Sequence, residues 1–418
     1  MRFALRILVE NKLSLVLCFT GKGYHTSSVA ATVMKKVLII QRLLPHYRIG
    51  FFNKLRSTLA ADGVVLNLAY GKDTRSQKKD EADLDWATYI ENQEINIGNM
   101  QLYWQPCLTY ISGKDLVIVE QANKNLINYL LLVRRLLYRQ KIAYWGHGLN
   151  RQTYDDDFRN RFKKAFLNRC DWWFAYTSKV KEYLVESNFP QNKITIVQNA
   201  IDTTQLTKQY ADLNAEDVMS LKIALGIDSD NVGLYVGGIY KEKRIDFLIE
   251  AGDLIRAQIK DFHLIVIGSG VDAGTVKEAA STRAWLHYMG PVFGLEKVKY
   301  FKLAKVFLMP GLLGLAVLDS FAQQTPTITT DFPFHSPEIE YLENGVNGII
   351  TPDNLQSYAQ GVVALLKDEH KRMQLVEGCK TAAKKYTLDQ MVSNYAAGIL
   401  NCLKISPAVE VQQPEINV

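Results

Sequence analysis

VFLMPGLLGLAVLDSFAQQTPTITTD, residues 306–331, contains a strand, a glycine-punctuated turn, a helix and a second strand in unbroken succession. The apolar run VFLMP (306–310) stops at a proline, and Gly311 and Gly314 mark the turn. A helical pattern then runs from about Leu315 to Gln323, and the β-branched TITT (327–330) follows. The first amides of such a helix have no intrahelical acceptor and suit a phosphate or diphosphate. Glycine lets a ligand approach backbone without a Cβ in the way. Asp319, one turn into the helix, has the reach to accept hydrogen bonds from a ribose diol. A plain strand-to-helix turn, with Asp319 compensating the helix dipole, fits these residues equally well.

Two neighbouring segments repeat the pattern. LYVGGIYKEKRIDFLIEA (234–251) runs from a strand through Gly237 and Gly238 to Lys241, Lys243 and Arg244, ahead of an amphipathic helix. A flexible ammonium beside a glycine turn is a sensible partner for the charge that builds on a leaving diphosphate; a solvated basic loop is the plainer reading. LIVIGSG (264–270) ends a strand on Gly268, Ser269 and Gly270. One such turn is weak evidence, and three at strand ends in one half of the chain are better.

Short apolar runs alternate with helical stretches from Lys35 onward, the mark of a parallel α/β architecture. Strands are expected at 37–41, 64–70, 115–120, 142–146, 172–176 and 194–197, then at 232–237, 263–268, 306–310 and 327–330. Residues 203–230 show no strong strand and end in a polar cluster, so they are expected to connect two domains. The fold class expected is α/β, with two Rossmann-like doubly wound domains facing a central cleft, since ligands of such sheets bind beyond the carboxyl ends of the strands. The expected divisions are an extension at 1–33, an N-terminal domain at 34–205 and a C-terminal domain at 206–387. A helix at 388–404 packs back on the first domain, and a disordered tail fills 405–418. The cleft loops would include Pro45, His46, Tyr47 and Arg48, and His147 in WGHG. A packed or surface histidine is the commoner fate of a lone one.

Composition narrows the function. The chain has 418 residues, 48% hydrophobic and 22% charged, enough apolar material for two cores. Five scattered cysteines without CxxC spacing argue against a disulfide framework and a structural zinc, and fit a cytoplasmic setting. A net charge of +6 is modest, and no nucleic-acid partner is expected. Residues 1–33 have a basic start and a broken apolar stretch; a start-site artefact and a short targeting segment are both open readings. Asp83-Leu84-Asp85 and Asp155-Asp156-Asp157 fit a metal-binding DxD pattern, but neither follows a strand, and no metal is expected. Phe158, Phe162 and Phe166 line one face of an expected helix (Asp156–Asn168) amid basic residues. Together with RRLLYRQK (134–141) they form either an anionic-membrane contact or a core-facing stripe with a solvated basic side.

GGIYKEKRIDFLIEA, LIVIGSG, YMGPVFGLEKVKYFKLAKVFLMPG and GLLGLAVLDSFAQQTPTITTD, in this order and spacing, resemble the C-terminal domain of the retaining GT-B glycosyltransferases of family four, the glycosyl transferases group 1. PHYRIGFFNKL (45–55), AYWGHGLN (143–150) and YTSKVKEYLVESNFPQNKITIVQNAIDT (176–203) are similar to that family's N-terminal domain and joint. The likeness runs from about Met34 to Leu403. It implies that Lys243 holds the donor diphosphate and that Gly314 and Leu315 offer it amides. It places Asp319 where the family's second glutamate meets the ribose. Gly237, Gly238, Gly268 to Gly270, Pro291, Val292, Phe293 and Gly311, Leu312, Leu313 would line the donor pocket, and His147 would reach the sugar or acceptor. It also implies that Pro45, His46, Tyr47 and Arg48 lie on the acceptor side. The chain departs from the pattern at Gly311, in place of the family's first glutamate, and at Gly238, in place of an arginine. Lys241 or Arg244 would have to supply the missing cation. Glu338 lies in a segment with a two-residue insertion and receives no role.

The function implied is transfer of a sugar from a nucleotide-diphosphate sugar, UDP- or GDP-linked, to a hydroxyl acceptor, with retention and no cofactor. The acceptor implied is a cell-surface polysaccharide or glycolipid intermediate, reached by a cytoplasmic enzyme attached peripherally to the inner face of the membrane. Gly238 and Gly311 keep a second reading open, a catalytically silent GT-B protein that binds nucleotide sugar or a partner transferase. A third is an enzyme of the same fold acting on a soluble acceptor.

Overall fold

The computed structural model describes residues 34–72, 83–98, 100–148 and 166–406. Two parallel sheets carry the fold. The first has strands β1 (Lys35–Gln41), β2 (Val64–Tyr70) and β3 (Thr88–Tyr89); after a separate antiparallel pair, β4 (Gln93–Ile97) and β5 (Met100–Trp104), it continues with β6 (Leu116–Glu120), β7 (Lys141–Gly146), β8 (Trp172–Ala175) and β9 (Ile194–Ile196). Its spatial order is β3-β2-β1-β6-β7-β8-β9. The second holds β10 (Val232–Val236), β11 (His263–Ile267), β12 (Leu286–Gly290), β13 (Val306–Leu308), β14 (Thr327–Thr330) and β15 (Gly348–Thr351), in the order β12-β11-β10-β13-β14-β15. Strands buried on both faces, such as VLII in β1 and LIVI in β11, read as continuous apolar runs for that reason.

In each sheet the order reverses beside the first strand, at β1/β6 and at β10/β13. Adjacent loops leave such a point in opposite directions and open a crevice. The protein therefore presents two crevices, one per sheet, and the loops at each define where a ligand fits.

The structure adds elements that were not expected. Residues 203–230, which hold no strand and lie between the two sheets as expected, form helices α5 (Thr204–Asp212) and α6 (Ala215–Ala224), which pack on α9 (Gly294–Leu303) of the second sheet. Neither helix buries a residue fully, and Met219 and Ile223 of α6 are exposed, so no apolar stripe marks the helical period; Asn214 caps α6 by accepting from the Asp217 amide. Strands β12 and β15 also lie where no strand was expected, because LHYMG and GIIT are short and carry polar or glycine positions. The last helix, α13 (Leu388–Leu403), packs on α1 (Ile49–Ala61) and on β8 and β9, with Tyr395 stacked on Phe174 at 4.3 Å. Aspartates 155–157 and most of the phenylalanine stripe lie outside the described residues. Phe166, its described member, packs edge-on against Tyr129 at 5.3 Å.

Candidate functional site

Lys243 ends a short 3-10 turn, Lys241–Lys243, just beyond β10. It is buried, and its Nζ donates to the Leu312 carbonyl at 2.6 Å, from the loop beyond β13. Burial alone lowers its pKa to about 8, and among the described residues no carboxylate pairs with it. A buried ammonium without a counter-charge is costly unless an anion joins it. Arg244, expected as a substitute cation, is committed to Asp353 and to the rings of Phe247 and Phe332. Lys241 is exposed.

The glycines do something other than expected. A Cβ on Gly311 would stand 2.4 Å from the Glu242 carbonyl oxygen and 2.6 Å from the Lys243 carbonyl carbon. The Leu312 amide donates to that Glu242 oxygen at 2.8 Å, so loop 311–312 is docked directly on the lysine turn. A Cβ on Gly268 would meet the Gly237 oxygen at 1.8 Å, and one on Gly270 the Ile239 oxygen at 2.0 Å. At these three positions the space read as room for a ligand is filled by neighbouring backbone. Gly238, in the arginine's place, faces the Tyr240 ring, 2.7 Å from where a Cβ would sit. Gly314 differs: the nearest atom to its Cβ position is Ser336 Oγ at 3.4 Å.

The helix after this loop is α10 (Ala316–Ala322), with Leu315 at its N-cap, one residue later than expected. Asp319 faces Lys297, whose Nζ donates to Oδ2 at 2.9 Å. Ser269 is exposed, as are Pro291 and Phe293 in the loop beyond β12, while Val292 is half-buried and Leu313 fully buried. These loops all leave the carboxyl edge of the second sheet.

On the first sheet His147 is exposed beyond β7, its ring edge-on to Tyr176 at 4.5 Å. Gly148 turns the chain behind it at φ +65°. Pro45 precedes the turn His46–Arg48; His46 and Tyr47 are exposed there. Arg48 is buried between the rings of Tyr47, Phe51 and Trp145 and donates to Asn199 Oδ1 and Met391 Sδ. Glu120, at the β1/β6 crevice, has its carboxyl pushed up by burial, with Arg42 and Arg48 pulling the other way. Among the described residues, Gln41 Nε2, Trp145 Nε1 and Thr177 Oγ1 are buried polar atoms without a partner, all at carboxyl ends of first-sheet strands.

Three buried polar residues, two of them joining the halves and the third joining two loops of the second, carried no signal in the sequence. Asn199 takes Arg48 on its oxygen and donates its amide nitrogen to Glu338 Oε1 at 2.5 Å, and the Tyr341 hydroxyl donates to the Asn199 carbonyl at 3.1 Å. Glu338 is thus a buried carboxylate in the segment read as an insertion. The third is His335, whose Nδ1 accepts from the Leu313 amide at 3.0 Å. Nearby, Ser178 Oγ and the Lys179 amide both donate to Glu340 Oε1. A groove of about 680 Å³ lies elsewhere, between α1 and α13, lined by Asn53, Ser57, Ser393 and Asn401 among others and by none of the strand-end loops.

Residues 230–368 match the family described as glycosyl transferases group 1. The chain is 25% identical over 202 residues to the α-monoglucosyldiacylglycerol synthase of Acholeplasma laidlawii, a match covering 46% of this chain and 49% of that protein. It thus spans about half the length of the curated relatives it matches first. Among solved structures it resembles a glycosyltransferase from Rickettsia africae (TM-score 0.66, 15% identity, 90% of this chain and 100% of that one). It also resembles the Anabaena protein HepE in complex with UDP (TM-score 0.63, 15% identity, 87% and 99%). The fold is GT-B.

Proposed function

We propose that the protein is a retaining, family-four glycosyltransferase that moves a sugar from a UDP- or GDP-linked donor to a hydroxyl of a glycan or lipid-linked acceptor. The observation that carries this is the buried ammonium of Lys243, without a paired carboxylate among the described residues, at the strand-order reversal of the second sheet. A diphosphate placed there supplies the missing anion, and the amides of Gly314 and Leu315 stand on the same loop. As the bond from the anomeric carbon to the diphosphate breaks, negative charge grows on the leaving oxygen, which a pre-placed cation stabilises. The acceptor hydroxyl forms the new bond at that carbon, and its proton leaves with the diphosphate. Asp319 would take the ribose, and Pro291 to Phe293 the base. On the opposing edge His147 and the unpartnered polar atoms of Gln41, Trp145 and Thr177 suit a polyhydroxyl acceptor. Lys243 provides the cation, so the proposal needs no metal. The relatives matched by sequence include a monoglucosyldiacylglycerol synthase, which supports a lipid-linked acceptor.

A second reading, a silent nucleotide-sugar binder, is favoured by Gly238 and Gly311, which leave the site without the family's arginine and first carboxylate. Donor turnover separates the two.

The test is binding of UDP, GDP, ADP and CDP by thermal shift and calorimetry, with and without EDTA. One nucleotide should stabilise the protein by about 2.7 kcal/mol at ~100 times its dissociation constant, regardless of EDTA, and Lys243→Ala should abolish this. Lys243 loses its proton as pH rises through about 8, so affinity should fall about tenfold between pH 7 and pH 9. Binding that ignores both Lys243→Ala and pH would place the diphosphate elsewhere.

A further inference from the structure

We infer that His335 is a positioning residue for the donor loop: its imidazole holds Leu313 so that residues 311–315 present their backbone beside Lys243. This rests on the donor-site reading above and adds a residue to it. His335 is buried, and each ring nitrogen meets a backbone group. Nδ1 lies 3.0 Å from the Leu313 amide, and Nε2 lies 2.9 Å from the Thr330 carbonyl oxygen. An amide only donates and a carbonyl only accepts, so Nδ1 must be bare and Nε2 must carry the proton. Only the neutral Nε2–H tautomer satisfies both partners.

The next residue completes the hold. The Ser336 amide donates to the Leu313 carbonyl at 3.0 Å, so both backbone groups of Leu313 are tied to the 335–336 pair. Leu312 is tied from the other side, its amide to the Glu242 carbonyl and its carbonyl to Lys243 Nζ. Loop 311–313 is therefore clamped between the lysine turn and the histidine turn. Thr330 Oγ1 donates to the Pro310 carbonyl at 2.9 Å, so the imidazole braces the loop against a strand end already fastened to β13. Gly311 contributes no side chain to this hold, and the segment carrying His335 reaches the loop's backbone from the far side. A loop whose amides must meet a diphosphate needs its geometry set before binding, since ordering it afterwards costs affinity.

The test uses the full chain, with UDP and GDP as probes, and three substitutions that divide the two bonds. Asparagine puts a carbonyl oxygen where Nδ1 stands and keeps the acceptor for Leu313. Glutamine reaches toward Thr330 but offers Leu313 nothing, and alanine removes both bonds. We expect the dissociation constant of the better-binding nucleotide to rise about tenfold in His335→Ala and His335→Gln, and His335→Asn to recover most of that loss. Unfolding midpoints for the asparagine and glutamine variants should be alike, which separates loop placement from folding. If His335→Ala does not fold, the Asn–Gln contrast decides alone. Wild-type affinity in His335→Gln, or no recovery in His335→Asn, overturns the inference. Should Lys243→Ala lose binding while His335→Ala and His335→Gln keep it, only the His335 role falls. If the wild type binds neither nucleotide, the donor-site reading falls and takes this role with it.

Discussion

Gly311 occupies a place where the backbone of Glu242 and Lys243 leaves no room for a Cβ. Replacing it would push apart the two loops that meet at the candidate donor site. Gly311→Ala should therefore cost about 1–3 kcal/mol, the range of overpacked interiors, in urea denaturation. Gly274, in a helix with nothing within 4 Å of its Cβ position, is the matched control, and alanine there should be neutral or stabilising. Equal costs at both positions would mean that the 311–242 contact is not tight. At the same scale Lys243 shows how burial produces a reactive charge: desolvation brings its pKa to about 8. Its loop partner is a carbonyl, which leaves the cation's charge uncompensated for an incoming anion.

Helix α3 (Leu126–Tyr138) buries Ile127 and Leu131 but carries its apolar character past the edge of the domain. Val133 is 50% exposed, Leu136 77%, Leu137 70% and Tyr138 68%, with Arg134 and Arg139 beside them. An apolar helix end flanked by cations suits the headgroup zone of an anionic bilayer. We expect the protein to sediment with vesicles containing phosphatidylglycerol and much less with pure phosphatidylcholine. Leu136→Ser with Leu137→Ser should reduce that binding several-fold without moving the unfolding midpoint. Binding unchanged in the double variant would return this helix end to the status of an ordinary surface. Among the described residues no helix is long and apolar enough to cross a membrane.

At the scale of the molecule, Arg48, Asn199 and Glu338 join the first sheet, the chain between the sheets and the second sheet into one buried polar network. Arg48 also reaches Met391 of α13, and so touches the helix that returns to the first half. Breaking one partner of a buried ion network leaves an uncompensated charge, at a cost of about 3–5 kcal/mol. Glu338→Gln or Arg48→Met alone should each lower stability on that scale, while the double variant should cost clearly less than their sum. Additive losses in a denaturation cycle would show that the charges do not act through Asn199.

The amino-acid sequence alone determined the fold class of this protein, because burial on both faces forces strand segments such as VLII and LIVI to be apolar throughout and the helices between them to be amphipathic. Lys243 was not singled out by its residues alone: a glycine turn with three cations also fits a solvated basic loop, the family resemblance pointed to Lys243, and only the fold shows that it is buried. The roles of Gly268, Gly270 and Gly311 were not legible either: glycine permits close approach, and only the folded chain says whether ligand or backbone comes close. Helices α5 and α6 lacked a clear apolar stripe, with Met219 and Ile223 of α6 exposed, and their packing on α9 is seen only in the fold. Arg48, Asn199 and Glu338 lie far apart in sequence, and so do Leu313 and His335 at their shorter range. No period or motif links them, because a hydrogen bond across a domain joint or between two loops is set by where the strands end in space, which tertiary structure alone decides.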